Sequence, residues 1–359
     1  MHKARSWLTK NFTVVRLAAA VLIGVLFAMA VITLISDDPA AAISKLFTGP
    51  LQSKRRFGNV IELMIPLTFA GLSITVMFAA NQFNMGAEGA FYAGGAVAAL
   101  VALVALNMPL PAFAHPAAAI LAGGLIGGVT CLTAGALKVK WGTSELVTSL
   151  MLNYVMYYLF KYILFTGSGL KDPDCGYVAT YKLPGTAVLP RIIPGTRIHA
   201  GLIVTALVVA LIYVYMKHTK WGYELKLTGE NQKFARYSGI GVGGVILASQ
   251  FIGGVIGGTG GAVQVLGMYE RFQWVSLPGY GFDGVIVAIL ARKNPLFVPV
   301  AAFFLAYLRI GSDAMSSSTD VTNEIISIIQ SIIILFVSAK VFLEAYRQRM
   351  VVKEAVEHE

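Results

Sequence analysis

Residues 81–90 read NQFNMGAEGA, placing Asn81, Gln82, Asn84 and Glu88 within eight positions. Apolar runs flank the stretch on both sides, at 58–80 and from residue 91 onward. Whether these polar residues sit in a loop or inside a membrane decides how the fold is read. The surrounding composition answers the first half of that question. Of 359 residues, 57% are hydrophobic and 13% charged, against about 25% charged in ordinary soluble domains. Apolar runs recur along the whole chain, and a membrane span needs about 20 mostly apolar residues to cross about 30 Å of hydrocarbon. The sequence therefore specifies an all-α, polytopic membrane protein, with short or broken helices where polar stretches interrupt the apolar runs.

Ten segments are expected to lie in the membrane: 17–35, 58–80, 86–106, 114–137, 145–166, 199–217, 240–263, 280–293, 295–311 and 322–343. The pair 280–293 and 295–311 reads as a tight hairpin of tilted or broken helices around Asn294-Pro295. Residues 1–16 carry Lys3, Arg5, Lys10 and Arg16 and no acid, and they form a cytoplasmic amino terminus. The run that follows has 19 residues, longer than the apolar core of about 7–15 residues in a signal peptide, so it is expected to be an uncleaved first span. With that orientation the basic loop 218–240 and the tail 344–359 are cytoplasmic, as the excess of Lys and Arg on inner loops requires. Segment 167–198, rich in Gly, Pro and Asp, faces outward. Loop 36–57 dissents, since it should be outside yet contains Lys54-Arg55-Arg56. Residues 17–343 thus form one transmembrane domain without a soluble appendage large enough to hold an enzyme.

The formal net charge of +10 is explained by that inner-loop bias and does not call for a nucleic-acid partner. Two cysteines, Cys131 and Cys175, and five scattered histidines form neither a disulfide framework nor a metal site. Glycine-rich stretches at 122–128 (AGGLIGG) and 253–261 (GGVIGGTGG) mark faces where helix backbones approach closely in lipid. Neither is a phosphate loop, because no Gly-Lys-Ser/Thr follows.

Ionisable groups at membrane depth cost about 2.5–3.5 kcal/mol each on insertion scales, so those that persist face a cavity, a partner or a pathway. The candidates are Glu62, Asn84, Glu88, Asn153, Lys161, Gln250 and Asp283. Lys161 is near a span end and can snorkel, and Glu62, within a turn of the outer end of its helix, is expected to be solvated. Asn84 and Glu88 are four apart, which on a helix puts them on one face. Gly86 and Gly89 equally allow an unwound segment between helices. PGYGFDGV (278–285) repeats the pattern around Asp283. Two Gly-interrupted acidic clusters point to a transport pathway; the alternative is that both carboxylates cap helix amino termini and brace the fold. The stretch LTGENQKFARYSGI (227–240) is longer than topology needs and reads as a short amphipathic docking element.

FNMGAEG (83–89) resembles the FNIGAEGQ signature of permease subunits in bacterial ATP-binding-cassette importers for ribose, simple sugars, nucleosides and branched-chain amino acids. TSLMLNYV (148–155), TGENQKFARYSGI (228–240) and GYGFDGVIVAILARKNP (279–295) resemble the corresponding family segments in the same order, and the similarity runs from about residue 55 to 343. It is nearest to the nucleoside and simple-sugar branch, whose external binding protein is a lipoprotein. The resemblance implies a subunit of the bacterial cytoplasmic membrane with no catalytic residue and no cofactor of its own. ATP and Mg would be held by a partner ATPase. A second permease subunit, homologous or identical, and an external substrate-binding lipoprotein would complete the assembly. Gly229, Asn231, Ala235, Gly239 and Ile240 would lie in the loop that docks into the ATPase. Asn84, Glu88, Asn153 and Asp283 match polar positions of the motifs and are candidates for lining or shaping the pathway. Ala90 replaces the Gln frequent in the family, and Lys233-Phe234 places a bulkier residue than usual in the docking segment. A proton-coupled carrier using Glu88 and Asp283, and a passive channel, are the rival readings.

Overall fold

The computed structural model describes residues 26–104, apart from 28 and 35, together with 113–320 and residue 331. These residues are mostly helical, with two isolated antiparallel bridges, Lys171 to Thr180 and Arg191 to His199. In chain order the helices are α1 (Pro39–Thr48), α2 (Lys54–Ala79), α3 (Ala87–Val104), α4 (Ala114–Trp141), α5 (Glu145–Tyr162), α6 (Gly201–His218), α7 (Lys220–Glu230), α8 (Gln232–Tyr237), α9 (Val242–Met268), α10 (Tyr280–Leu290) and α11 (Val298–Ser316). A single turn at Pro295–Phe297 leads into α11.

Among the described residues six helical stretches are long and apolar enough to cross a membrane: α2, α3, α4, α6, α9 and Pro295–Ser316. The expectation of ten spans is therefore met in part. Segments 17–35 and 322–343 lie mostly or wholly outside the described residues, as do 1–16 and 344–359. Segment 145–166 does form a helix, α5, but Asn153, Lys161 and four tyrosines keep it from being apolar enough to join the six. Segment 280–293 shortens to α10, because Arg292 and Lys293 adopt left-handed backbone at φ 53° and 59°. Loop 36–57, expected to be irregular, holds α1, whose amino end is capped by Asp38 accepting from the Ala41 N–H at 3.1 Å, with Pro39 in its first turn.

The described residues form two compact units, one of residues 57–306 and one of the segments on either side. In the smaller unit, α1 packs on the second half of α11. A Cβ on Gly49 would stand 2.5 Å from Ala314 Cβ, and Tyr307 OH donates to Phe47 O. Asp320 closes this unit by accepting from Ser36 Oγ at 2.6 Å and from the Asp37 N–H at 2.7 Å.

The larger unit is centred on α3, α4 and α9, where both glycine stretches do what their composition foretells. Gly123 and Gly127 of α4 face Gly254 and Gly258 of α9, and Gly94 of α3 faces Gly258, each so close that a Cβ would overlap the opposing backbone. Such contact replaces the hydrophobic drive that lipid cannot supply with close van der Waals packing. Segment 167–198 is tied to residues 266–274 by backbone bonds, Thr180 to Phe272, Leu183 to Glu270 and Leu189 to Leu266, at 2.8–3.0 Å. Arg271 seals the junction by an ion pair with Asp172 and a 3.0 Å bond to Thr180 O. That guanidinium holds the Asp172 carboxyl below the usual carboxylate range.

Candidate functional site

Residues 81–86 leave the helix between α2 and α3. Asn84 and Glu88 therefore do not share a helix face: Asn84 is in extended chain and Glu88 in the first turn of α3. An irregular backbone deep in an apolar bundle must find partners for each N–H and C=O, since water is not there to supply them. Side chains supply them here. Met85 N–H donates to Ser149 Oγ at 3.0 Å, Gly86 N–H to Asn84 Oδ1 at 2.6 Å, and Phe83 N–H to Glu145 at 3.3 Å. Asn153 spans the restart of the helix, accepting from the Gly89 N–H at 2.8 Å and donating to Met85 O at 3.0 Å. Asn84 donates through its other amide atom to Gln250 of α9. Gln82, Asn84, Glu88, Asn153 and Gln250 are all buried.

Glu88 joins this break to a second one. Its two carboxylate oxygens accept from the N–H groups of Gly279 and Gly281, at 2.6 and 2.5 Å. Those amides open α10, so a carboxylate in the first turn of one helix caps the first turn of another. Two helix amino termini each carry a partial positive charge and repel when brought together; a single anion between them satisfies both and fills orphan N–H positions. The approach requires glycine. A Cβ on Gly281 would stand 2.5 Å from Glu88 Cα, and Gly279 is left-handed at φ 85°. Asp283 is in the first turn of α10 and half-buried. Of the four candidate pathway residues, Asn84, Glu88 and Asn153 thus converge on the break, and Asp283 lies one turn along the adjoining helix.

An aromatic layer covers the break on the side of residues 269–279. Tyr92 OH donates to Trp274 O at 3.1 Å and Tyr157 OH to Val275 O at 2.5 Å. Phe91, Phe272, Trp274 and Tyr280 pack ring against ring around them, with centroids 5.1–5.9 Å apart. The sequence did not single out these rings, because aromatic residues are common in any span and their convergence needs residues 180 apart in the chain. Ser149 was equally unremarked, its type being unexceptional until the backbone it satisfies is seen.

Glu62 corrects its expectation. It is buried, not solvated, and accepts from Gln264 Nε2 at 2.8 Å. Lys161 bends one turn back along α5 to Tyr157 OH at 2.8 Å.

The 218–240 loop is an elbow of two short helices. Thr219 caps α7 by accepting from Gly222 N–H at 3.1 Å, and Asn231 caps α8 by accepting from Phe234 N–H at 3.0 Å. Gly229 lies against the carbonyl of Ala79 at the end of α2, where a Cβ would overlap. Gly239 is left-handed at φ 83°, ending α8. Ala235 is buried against Val242 and Ile246, with Leu227 and Ile240 beside it. Of the five residues proposed for docking, Gly229, Ala235 and Ile240 therefore build the elbow from within, while Asn231 and Gly239 are exposed. The outward face consists of Gln232, Lys233, Phe234, Arg236 and Tyr237, with Phe234 56% and Tyr237 92% exposed. Among the described residues no three His, Cys, Asp or Glu side chains gather where they could hold a metal ion.

With this geometry in hand, the relatives can be placed beside it. The family described as branched-chain amino acid transport system / permease component matches residues 56–338. The glucose ABC transporter permease protein TsgB13 of Haloferax volcanii is 30% identical over 95% of this chain and 90% of its own length. The guanosine ABC transporter permease protein NupP of Bacillus subtilis is 29% identical over 89% of this chain and 91% of its own. The nucleoside ABC transporter permease protein NupB of Lactococcus lactis subsp. cremoris is 26% identical, covering 90% of both chains.

Proposed function

The chain belongs to the branched-chain amino acid transport system / permease component family, and from that premise we propose that it is the membrane-spanning subunit of an ATP-binding-cassette importer for nucleosides or related ribose-containing solutes. The observation that carries the reading is the interior break, where the amino ends of α3 and α10 meet on the buried Glu88 carboxylate. Interrupted helices that begin inside a membrane bundle are characteristic of transport pathways. The break shapes that pathway by fixing where two helices start. ATP and Mg belong to a partner ATPase, which docks on the elbow through Lys233, Phe234, Arg236 and Tyr237.

The two relatives named for guanosine and nucleosides support the substrate class. The relative named for glucose keeps a simple-sugar substrate as the second reading. Ten spans complete the fold, the six apolar helices joined by α5, α10 and the sequence runs 17–35 and 322–343, with both termini in the cytoplasm. A second permease subunit and an external binding lipoprotein, received at 167–198, make up the rest of the transporter in the bacterial cytoplasmic membrane.

The test is uptake of labelled adenosine, uridine and ribose by cells with the complete transporter, compared with cells lacking this chain alone. Nucleoside uptake that disappears with the chain is expected. Loss of ribose uptake only would move the substrate to simple sugars.

A further inference from the structure

The break lies at one end of a helix whose other end is tied by an independent bond to the end of α2, on which the elbow rests. At the carboxyl end of α10, Lys293 Nζ donates to Phe78 O at 2.9 Å. Phe78 is one residue short of the end of α2, where carbonyls carry the negative end of the helix dipole, and its oxygen also accepts from the Asn81 N–H at 3.1 Å. An ammonium matches such a site. The next carbonyl, that of Ala79, is the one against which Gly229 of the elbow is pressed. Between its two ends α10 is a rod of 11 residues, about 16 Å long at 1.5 Å per residue. Its middle rests on α2 through Gly284, where a Cβ would come within 2.6 Å of the Ala70 carbonyl carbon. Val287 of α10 likewise packs on Gly71 of α2, where a Cβ would stand 2.5 Å from the Val287 side chain, so the middle of the rod is held against α2. The bond from Lys293 to a helix-terminal carbonyl ties its carboxyl end to the same helix.

We propose that Lys293 is the positioning residue that couples the elbow to the break. A displacement of α7 is received by Ala79 and Phe78, passes through Lys293 to the carboxyl end of α10, and arrives at Gly279 and Gly281, whose N–H groups hold Glu88. The inference rests on the importer reading above. A link can bias two conformations only if its strength differs between them, so the Lys293 bond is made in the conformation described and lost or lengthened in the alternate one. The link is contiguous in space from α7 to the break.

The experiment uses the complete transporter in proteoliposomes and reads molecules imported per ATP hydrolysed, with whichever of adenosine, uridine or ribose the wild type takes up. Lys293→Met keeps the stem and removes the donor; Lys293→Arg keeps the charge. Lys293→Met is expected to assemble with its ATPase and hydrolyse ATP at the wild-type rate or faster, while importing about tenfold fewer molecules per ATP, the size of effect expected from losing one charged hydrogen bond. Lys293→Arg is expected to restore most of the ratio. An unchanged ratio in Lys293→Met overturns the link, and so does failure to assemble, which would make Lys293 a folding residue. A wild-type complex without ATP-dependent uptake would overturn the importer reading itself, and the link with it; wild-type uptake beside an unaltered variant removes the link alone.

Discussion

Glu88 is the residue on which the break turns, and its chemistry separates it from the other buried acid. Both of its oxygens accept backbone N–H groups, whereas the hydrogen bond seen at Glu62 comes from the Gln264 amide. We predict that Glu88→Gln leaves one of the Gly279 and Gly281 N–H groups facing an amide NH2, at a cost of about 1–3 kcal/mol. Glu62→Gln keeps an acceptor for Gln264 and should cost under about 1 kcal/mol. The check is import rate and thermal stability of the two variants side by side; equal and mild losses would return Glu88 to an ordinary buried position. The importance of Asn84, Glu88 and Asn153 was legible in the sequence, because polar side chains in an apolar run need a reason. Their partners were not. Spacing places Asn84 and Glu88 on one helix face only if the chain is helical there, and the side-chain acceptors of Asn84 and Ser149 stabilise an unwound backbone instead.

At the level of elements, the helices of the bundle were legible from apolar runs and glycine stripes, with ends shifted by a few residues. The elbow was legible as a distinct helical element, and its outward face was not. Sequence likeness marks Gly229, Ala235, Gly239 and Ile240, and the structure uses these to build the elbow, while the exposed Phe234 and Tyr237 remain for a partner. Accordingly, Phe234→Ser with Tyr237→Ser should leave the protein in the membrane yet reduce recovery of the ATPase by affinity purification at least fivefold. Ala235→Glu should instead deplete the protein from the membrane, since it buries a charge among Val242, Ile246 and Leu227. Undiminished ATPase recovery by the double Ser variant would remove the elbow from the docking surface. The clamp between segment 167–198 and residues 266–274 has its own pH signature. Because Arg271 depresses the Asp172 pKa, the ion pair contributes above the ordinary carboxylate range and is lost as pH falls through the lowered value. Limited proteolysis should therefore find the wild-type segment protected from pH 7 down to about pH 4, and Asp172→Asn cut faster at neutral pH. Equal cleavage of the two at neutral pH would show the pair to be without effect.

For the whole molecule, what the chain lacks is as informative as what it holds. Its sequence has no phosphate loop, and the buried Asn84, Glu88 and Asn153 are occupied with backbone groups and Gln250. On the importer reading we propose, such a subunit converts work done elsewhere into a change in where its helices begin. The class of the protein was legible in its composition and in four ordered stretches of sequence; the aromatic cover over the break and the meeting of α3 with α10 were not, because both depend on residues about 190 positions apart. The central claim, that ATP spent by a partner drives import through this chain, is tested most directly by separating the two energy sources. In cells carrying the complete transporter, nucleoside uptake is measured with an uncoupler present and cytoplasmic ATP held high, and again with ATP depleted and the proton gradient intact. The account predicts uptake that survives the first condition and stops in the second. Uptake that collapses with the uncoupler while ATP stays high would contradict it and make the chain a proton-coupled carrier.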